Sequence, residues 1–326
     1  MRQIYATLVR VTRSNSSPSV AWLGYGACAL AGSLWGTGFY FGKLALREMS
    51  VGHMVLYRFV FATLGMLPIL FAGRRAATIR RKVWTRREQG TLLLSAALGI
   101  PLQFMIQFQG LAHTTVSHAA LMVGTMPVLL ALGATLFAGE RLDWIGWLAL
   151  FGSTVGVVLI VLGGHEASAS GALPSLYGDL LVVLSLVIAL GWVLMNKNLM
   201  QAHSPLEVTA YGILTGSAML AAWVIPMDGL PPIAKVSLTA WLALAASGVL
   251  CTATTTLLWN WGIHHVPASR AGVFLNIEPA LGSILGVELL GDRLGPFAWI
   301  GGGLILAAAV TLTVRDHEPA PEVLLE

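Results

Sequence analysis

Charge is scarce in this sequence. Of its 326 residues only 10% are Asp, Glu, Lys or Arg, against roughly 25% in a soluble domain. That shortage excludes a water-soluble globule. Cysteine is nearly missing: Cys28 and Cys251 both sit in apolar stretches, give no disulfide framework and no C-x-x-C metal site, and read as small packed hydrophobes. A nucleotide-binding loop is absent too. Gly36-Thr37-Gly38-Phe39-Tyr40-Phe41-Gly42-Lys43 looks glycine-rich but lacks the phosphate-loop spacing, so no hydrolysis motor is encoded there. Thirty-six glycines without a G-X-Y period exclude collagen, and 56% hydrophobic content excludes disorder. The net charge of +4 comes from basic residues clustered beside apolar runs, which is a topology signal; no nucleic-acid partner, metal or cofactor is expected.

What the sequence has is long apolar runs. A bilayer core takes about 20 residues of helix, and ten stretches qualify: 21–46, 51–72, 90–111, 117–138, 143–163, 175–197, 206–226, 238–262, 269–289 and 294–314. All are expected to be helices, because lipid offers the backbone no other partners. The first 20 residues carry Arg2, Arg10 and Arg13 without a cleavable apolar core and read as a cytoplasmic tail. With that end inside, fourteen basic residues fall on the cytoplasmic face against Lys43, Arg47, Lys235 and Arg293 outside. Both termini are then cytoplasmic, with 164–174 an extracytoplasmic linker and 315–326 a second cytoplasmic tail.

The halves repeat. Residues 110–147 match 262–299 at an offset of 152 with ten identities, among them Gly110/Gly262, Ser117/Ser269, Pro127/Pro279, Gly139/Gly291, Arg141/Arg293 and Trp147/Trp299. At an offset of 154 the earlier spans register as Gly24/Gly178, Lys43/Lys197, Ser50/Ser204 and Tyr57/Tyr211. Five spans per half is an odd number, so the second half enters the membrane from the opposite side. The expected fold is therefore an all-α polytopic membrane protein of ten transmembrane helices in two inverted five-helix repeats, 21–163 and 175–314. Such halves can rock around a shared cavity, and without a nucleotide motor the transport they support is secondary.

The candidate site residues follow from depth and helical spacing. Pro127 and Pro279 fall at equivalent mid-span positions of helices 4 and 9, where each removes a backbone donor; both a packing kink and a binding role fit. Glu278 lies near the bilayer centre, where a charge costs about 2.5–3.5 kcal/mol. It is the candidate for substrate contact or proton coupling; a carboxyl hydrogen-bonded to a neighbouring helix is the structural alternative. Arg58, some seven residues into its span, is either a tether or a snorkelling side chain. Gln103 and Gln107 share a face that corresponds by the offset to Thr255 and Trp259, and both faces are expected to line the substrate cavity. Trp192 with Asn196, and Trp35 with Phe39, form further faces open to either a cavity or a packed core. Met122 and Met126, opposite Phe274 and Glu278, form an adaptable apolar wall. Gly32/Gly36, Gly38/Gly42, Gly152/Gly156 and Gly282/Gly286 have the spacing for close helix packing. His113/His265 read as helix-end caps.

These residues resemble the EamA-type permeases of the drug/metabolite transporter superfamily: Trp35-Gly36, Arg58-Phe59, Pro127 with Gly139-Glu140-Arg141-Leu142, and Glu278-Pro279 with Gly291-Asp292-Arg293-Leu294. The resemblance implies a multi-pass protein of the cytoplasmic (inner) membrane, exporting small metabolites, often amino acids, through a cavity lined by helices 1, 3, 4, 6, 8 and 9. It implies structural or gating roles for Glu140 and Asp292, the latter replacing the usual glutamate. An importer or broad drug-efflux permease is the rival within transport, and a non-transporting partner or sensor subunit the rival outside it. An enzyme is not expected, since mid-span ionisable groups reduce to Arg58 and Glu278.

Overall fold

The computed structural model describes residues 18–76, 83–126, 128–129, 132–133, 144–163, 174–229, 233, 236–265 and 273–315. Among them there is no strand. Ten helices follow one another: α1 (Pro18–Ala45), α2 (Val51–Ala76), α3 (Arg86–Ala97 and Gln103–Ala112, joined by a π-helical turn at Leu98–Leu102), α4 (Val116–Val123), α5 (Trp144–Gly163), α6 (Leu176–Leu199), α7 (Pro205–Asp228), α8 (Leu238–Ala245 and Thr255–His265, joined by π-helical Ala246–Thr254), α9 (Ile277–Leu290, preceded by 3₁₀-helical Val273–Asn276) and α10 (Pro296–Arg315). Segments of α2, α3, α6, α7 and α8, 21 to 27 residues each, are long and apolar enough to cross a bilayer, and α5 and α10 contain shorter apolar runs.

Boundaries follow local chemistry. Helix α3 begins at Arg86, four residues before the hydropathy suggests, because Thr85 and Glu88 form a capping box: Thr85 Oγ1 accepts from the Glu88 amide while Glu88 takes the Thr85 amide. Ser175, Ser204 and Ser237 cap α6, α7 and α8, each hydroxyl accepting from the amide three residues on. Helix α9 ends at Gly291, whose φ of 69° only glycine adopts readily; the chain then turns back so that the Asp292 amide bonds to the Gly286 carbonyl.

The inversion is visible in which ends meet. The α1–α2 turn reaches the start of α8, where Glu48 accepts hydrogen bonds from Ser237 N and Oγ, both at 2.6 Å. The α6–α7 turn reaches the start of α3, where His203 Nε2 stands 3.3 Å from Glu88 Oε2. Thr85 and Ser237, the two capping residues, are 152 apart and lie at opposite ends of the molecule, since Lys43 near the end of α1 bonds to the carbonyls closing α3, Leu111 and Thr114. The protein is a polytopic all-α membrane protein of two inverted repeats.

Packing repeats the same swap. A Cβ on Gly110 of α3 would stand 2.7 Å from the Gly178 carbonyl oxygen of α6; one on Gly262 of α8 would stand 3.0 Å from that of Gly24 on α1. Both pairs are matched by the two offsets, so each repeat's third helix lies on the other repeat's first. Helices α5 and α10 cross at Gly156 and Gly301, with Cβ-to-carbonyl distances of 2.6 and 2.5 Å. Helices α4 and α9 meet where Gly282 lies on Ala120 and Gly286 on Ser117. Two glycines of the expected close-packing set depart from it: Gly152 faces open space, and Gly38 has room for a side chain at ordinary contact distance.

Candidate functional site

Irregular backbone gathers at equivalent levels of the two repeats. The π-turn at Leu98–Leu102 in α3 corresponds, at 152, to 250–254, inside the longer π-segment of α8. Pro101 accounts for one, since it has no amide to continue the α-ladder. In α8 side chains take up the loosened carbonyls: Thr252 Oγ1 donates to Ser247 O and Thr255 Oγ1 to Leu250 O, each five residues back. The second pair of breaks falls in α4 and α9. Helix α4 tightens after Val123, where the Gly124 and Thr125 amides reach back only three residues, to Leu121 and Met122. The 3₁₀ turn Val273–Asn276 before α9 is its counterpart, Gly124 matching Asn276.

This revises the expected span at 269–289. Pro279 does not kink a continuous helix; it is the third residue of a new α-segment, where a missing amide is harmless. Glu278, one residue earlier, thereby lies at a helix N-terminus, whose partial positive charge suits a carboxylate. It is partly buried. Pro127 and Glu140 lie outside the described residues.

Arg58 reaches inward instead of toward the membrane surface. It is 5% exposed, its Nε donates to Thr252 Oγ1 at 3.1 Å, and its guanidinium carbon stands 5.1 and 5.2 Å from the Phe104 and Phe108 ring centroids. No ion pair joins Glu278 to Arg58. Cys251, whose Sγ is 3.1 Å from Thr37 Oγ1, belongs to the same cluster.

The structure brings several expected residues together. Trp35 and Trp259 face each other with ring centroids 5.6 Å apart. Phe274 and Trp259 pack on Cys28 with Tyr25. Phe39 lies on Phe108, 6.3 Å between centroids. Helix α1 runs against the α9 break, Gly32 on the Phe274 carbonyl and Gly36 where a Cβ would stand 3.0 Å from that of Glu278. Others stand apart. Trp192 covers Gly99 in the π-turn of α3, Asn196 accepts a 2.6 Å hydrogen bond from Ser95 one turn further along, and Met122 is wholly buried in the main core with Met126 at its edge. Gln103 and Gln107 are both buried, and Gln103 Oε1 has no hydrogen-bond partner. Thr255 is fully buried with its hydroxyl spent on its own helix. A cleft of about 350 Å³ between the start of α3 and the end of α6, lined by Arg87, Glu88, Thr91, Asn198 and Gln201, contains none of the expected residues.

Sequence reasoning missed a second buried polar cluster, at the end of the molecule where α1 finishes. Asp292 accepts from Ser117 N at 2.9 Å and Oγ at 3.0 Å. Asp179 of α6 takes the Thr114 hydroxyl at 2.5 Å and lies 3.5 Å from His118 Nδ1. Lys43 completes it through the Thr114 carbonyl. Both aspartates come from the second repeat, and both grip the first turn of α4 in the first. The Gly291-Asp292 motif, with the structural or gating role expected of Asp292, and the Ser117/Ser269 and Lys43/Lys197 matches pointed to this end, but not to Asp179, Thr114 or His118.

The comparisons agree with this architecture. A model of the EamA-like transporter family matches residues 22–162 and 176–314, one match per repeat. An uncharacterized transporter of Archaeoglobus fulgidus is 24% identical over 89% of this chain and 97% of its own. A probable terminal-alkyne amino-acid exporter of Streptantibioticus cattleyicolor is 26% identical over 70% of this chain and 74% of its own. The uncharacterized transporter YyaM of Bacillus subtilis is 23% identical over 85% and 88%. One crystal structure superposes over 93% of this chain and all of its own with a TM-score of 0.61 at 19% identity, which is a likeness of fold. Two inverted repeats, with broken inner helices at matched levels and a family match on each half, place the chain in the EamA-like transporter family.

Proposed function

We propose that this transporter is a secondary active permease that exports small metabolites, amino acids or related compounds, across the cytoplasmic membrane by alternating access, with both termini on the cytoplasmic side. The observation that carries the reading is the matched pair of breaks in α4 and α9. Interrupted helices at corresponding positions of two inverted halves put irregular backbone and a helix N-terminus at mid-membrane, where a solute can use them. The matched π-segments of α3 and α8 extend the irregular zone on both sides. Glu278 is the coupling residue in this reading, since it is an acidic residue in the first turn of α9, directly beside the break.

Counterflow into proteoliposomes with a panel of amino acids and amphipathic solutes tests it. The wild type should show saturable counterflow for a subset of the panel and respond to an imposed pH gradient. Glu278→Gln should insert normally and lose the response to the gradient. Absence of counterflow for every solute, or an unchanged pH dependence in Glu278→Gln, would remove the transport or the coupling claim respectively.

A further inference from the structure

The cleft of about 350 Å³ between the start of α3 and the end of α6 contains no residue of the helix breaks, yet it joins the two repeats. Its depth in the bilayer follows from the spans. The apolar stretch of α3 begins at Arg86 and that of α6 ends at Asn196, so a cleft lined by Arg87, Glu88, Asn198 and Gln201 opens at the bilayer border. Its lining carries one charge of each sign. Glu88 is held in place by the Thr85 amide and hydroxyl, which donate to it at 2.8 and 2.9 Å. Arg87 is exposed, and among the described residues its side chain and those of Asn198 and Gln201 have no hydrogen-bond or ion-pair partner.

An apolar trough continues from the cleft toward the bilayer interior. Leu98 of α3 and Gly191 of α6 face each other: the only side-chain atom near a Cβ built on Gly191 is Leu98 Cδ1, at 4.0 Å, so the α6 wall is bare there. Leu94 lies one turn before Leu98 on the same face of α3, and Val187 one turn before Gly191 on α6; they are 52% and 51% exposed. The Ser95–Asn196 hydrogen bond, at 2.6 Å, fastens the two helices at this level. A polar cleft at the border with an apolar trough below it matches the two-part chemistry of a membrane lipid. Charge then selects the headgroup. A phosphate alone would meet Glu88 unfavourably and an ammonium alone would meet Arg87, whereas a headgroup with both satisfies each. We propose that this cleft binds a phospholipid with a phosphoethanolamine headgroup, its phosphate on Arg87, its ammonium on Glu88 and one acyl chain along Leu94, Leu98 and Gly191. Because α3 and α6 belong to different repeats, the lipid ties the repeats together at this end.

The test is lipid retention by the detergent-purified protein, counted by native mass spectrometry, with dioleoyl phosphatidylethanolamine, phosphatidylglycerol and phosphatidylcholine offered in turn. One phosphatidylethanolamine should bind about tenfold more tightly than phosphatidylglycerol, which has no ammonium, and than phosphatidylcholine, whose ammonium has no N–H for Glu88. Arg87→Ala should weaken it by about the same factor. Arg86→Ala, exposed and outside the cleft, should not. Glu88→Gln keeps an acceptor for the Thr85 cap and should narrow the preference over phosphatidylglycerol. Gly191→Leu fills the trough and should weaken the lipid while leaving soluble glycerophosphoethanolamine, which carries the headgroup alone, unaffected. Equal affinity for the three lipids, or an Arg87→Ala effect no larger than that of Arg86→Ala, overturns the site. Glycerophosphoethanolamine binding as tightly as the lipid, or a lipid affinity unchanged in Gly191→Leu, overturns the lipid as its occupant.

Discussion

Asp292 offers the sharpest test of the proposed alternating access, as a residue that would hold one end of the molecule closed. Its carboxylate, 6% exposed, crosses from the second repeat to bind the amide and hydroxyl of Ser117 in the first turn of α4. Directly beneath, Gly286 and Gly282 let α9 lie on Ser117 and Ala120 without side chains between. In the alternating-access reading proposed above, opening this end would separate those helices and break both bonds. Hydrogen bonds to a charged acceptor contribute about 1.5–3 kcal/mol each, and the lower value applies here because the separated groups regain water. Asp292→Ala therefore favours the opened form by about 3 kcal/mol, a shift of roughly 150-fold in the open-to-closed ratio. Ser117→Ala, which removes only the hydroxyl donor, shifts it by about 1.5 kcal/mol, roughly tenfold. Cys251 is a native reporter, since it is 1% exposed at the centre of the molecule. In a Cys28→Ser background its modification by a membrane-impermeant thiol reagent, added on the side where Asp292 lies, should accelerate in that order. Rates equal to the parent in both variants would show that Asp292 does not hold the end shut.

Two further expectations concern stability. Gly156→Leu should lower the detergent melting temperature markedly, at about 2–3 kcal/mol of overpacking, because the α5–α10 crossing brings the Gly301 carbonyl to where a side chain would begin; Gly152→Ala, one turn away and facing open space, should cause no loss. At the α1–α2 turn, the Ser237 hydroxyl and amide hold the Glu48 carboxyl below its usual range. A depressed folded-state value means that the contribution is full above the ordinary carboxylate pKa and disappears as pH falls through the depressed one. Glu48→Gln should therefore melt lower than the wild type at neutral pH, with the gap closing in acid; a gap that widened there would contradict the assigned sign.

The spans and their inversion were legible because both rest on patterns that a bilayer enforces everywhere: length, apolar content and the side on which arginine accumulates. The Gly291-Asp292 motif was legible as a repeat element, and its physical reason is the positive φ that ends α9 and sends Asp292 back toward Ser117. The α9 break was half legible, since Pro279 announced a discontinuity without saying that α-geometry begins at Ile277. The π-segments were not: Pro101 marks one, but 246–254 contains no proline, and its unwinding is supported by threonine hydroxyls whose targets exist only after folding. The His118–Asp179–Thr114 cluster was hidden for a different reason. A histidine, an aspartate and a threonine near helix ends read as solvated, and only the seating of α6 on the α3–α4 turn, through Ser175 and the His113 carbonyl, buries them.

The two ends of the molecule also differ where repeat symmetry would make them alike. Thr85 and Ser237 are equivalent capping residues, and each is reached from the other repeat by the turn after its first helix. On α8 the visitor is a carboxylate, Glu48, bonded directly to the cap. On α3 the cap already has its own carboxylate, Glu88, and the visitor is the ring of His203, stacked on Trp84 at 3.6 Å between centroids. An inverted pair with identical clamps would have equal energies when open to either side. Under the proposed alternating access, unequal clamps would bias the equilibrium, through a histidine contact at one end and a carboxylate–serine contact at the other. Exchanging Glu48 for glutamine weakens only the α8 clamp, so it should alter the rates of the two half-cycles unequally even where overall stability changes little. Equal changes in both half-cycles would place the asymmetry elsewhere, and the Asp179–Asp292 grip on α4 is then the next candidate, since it too ties the repeats together at one end only.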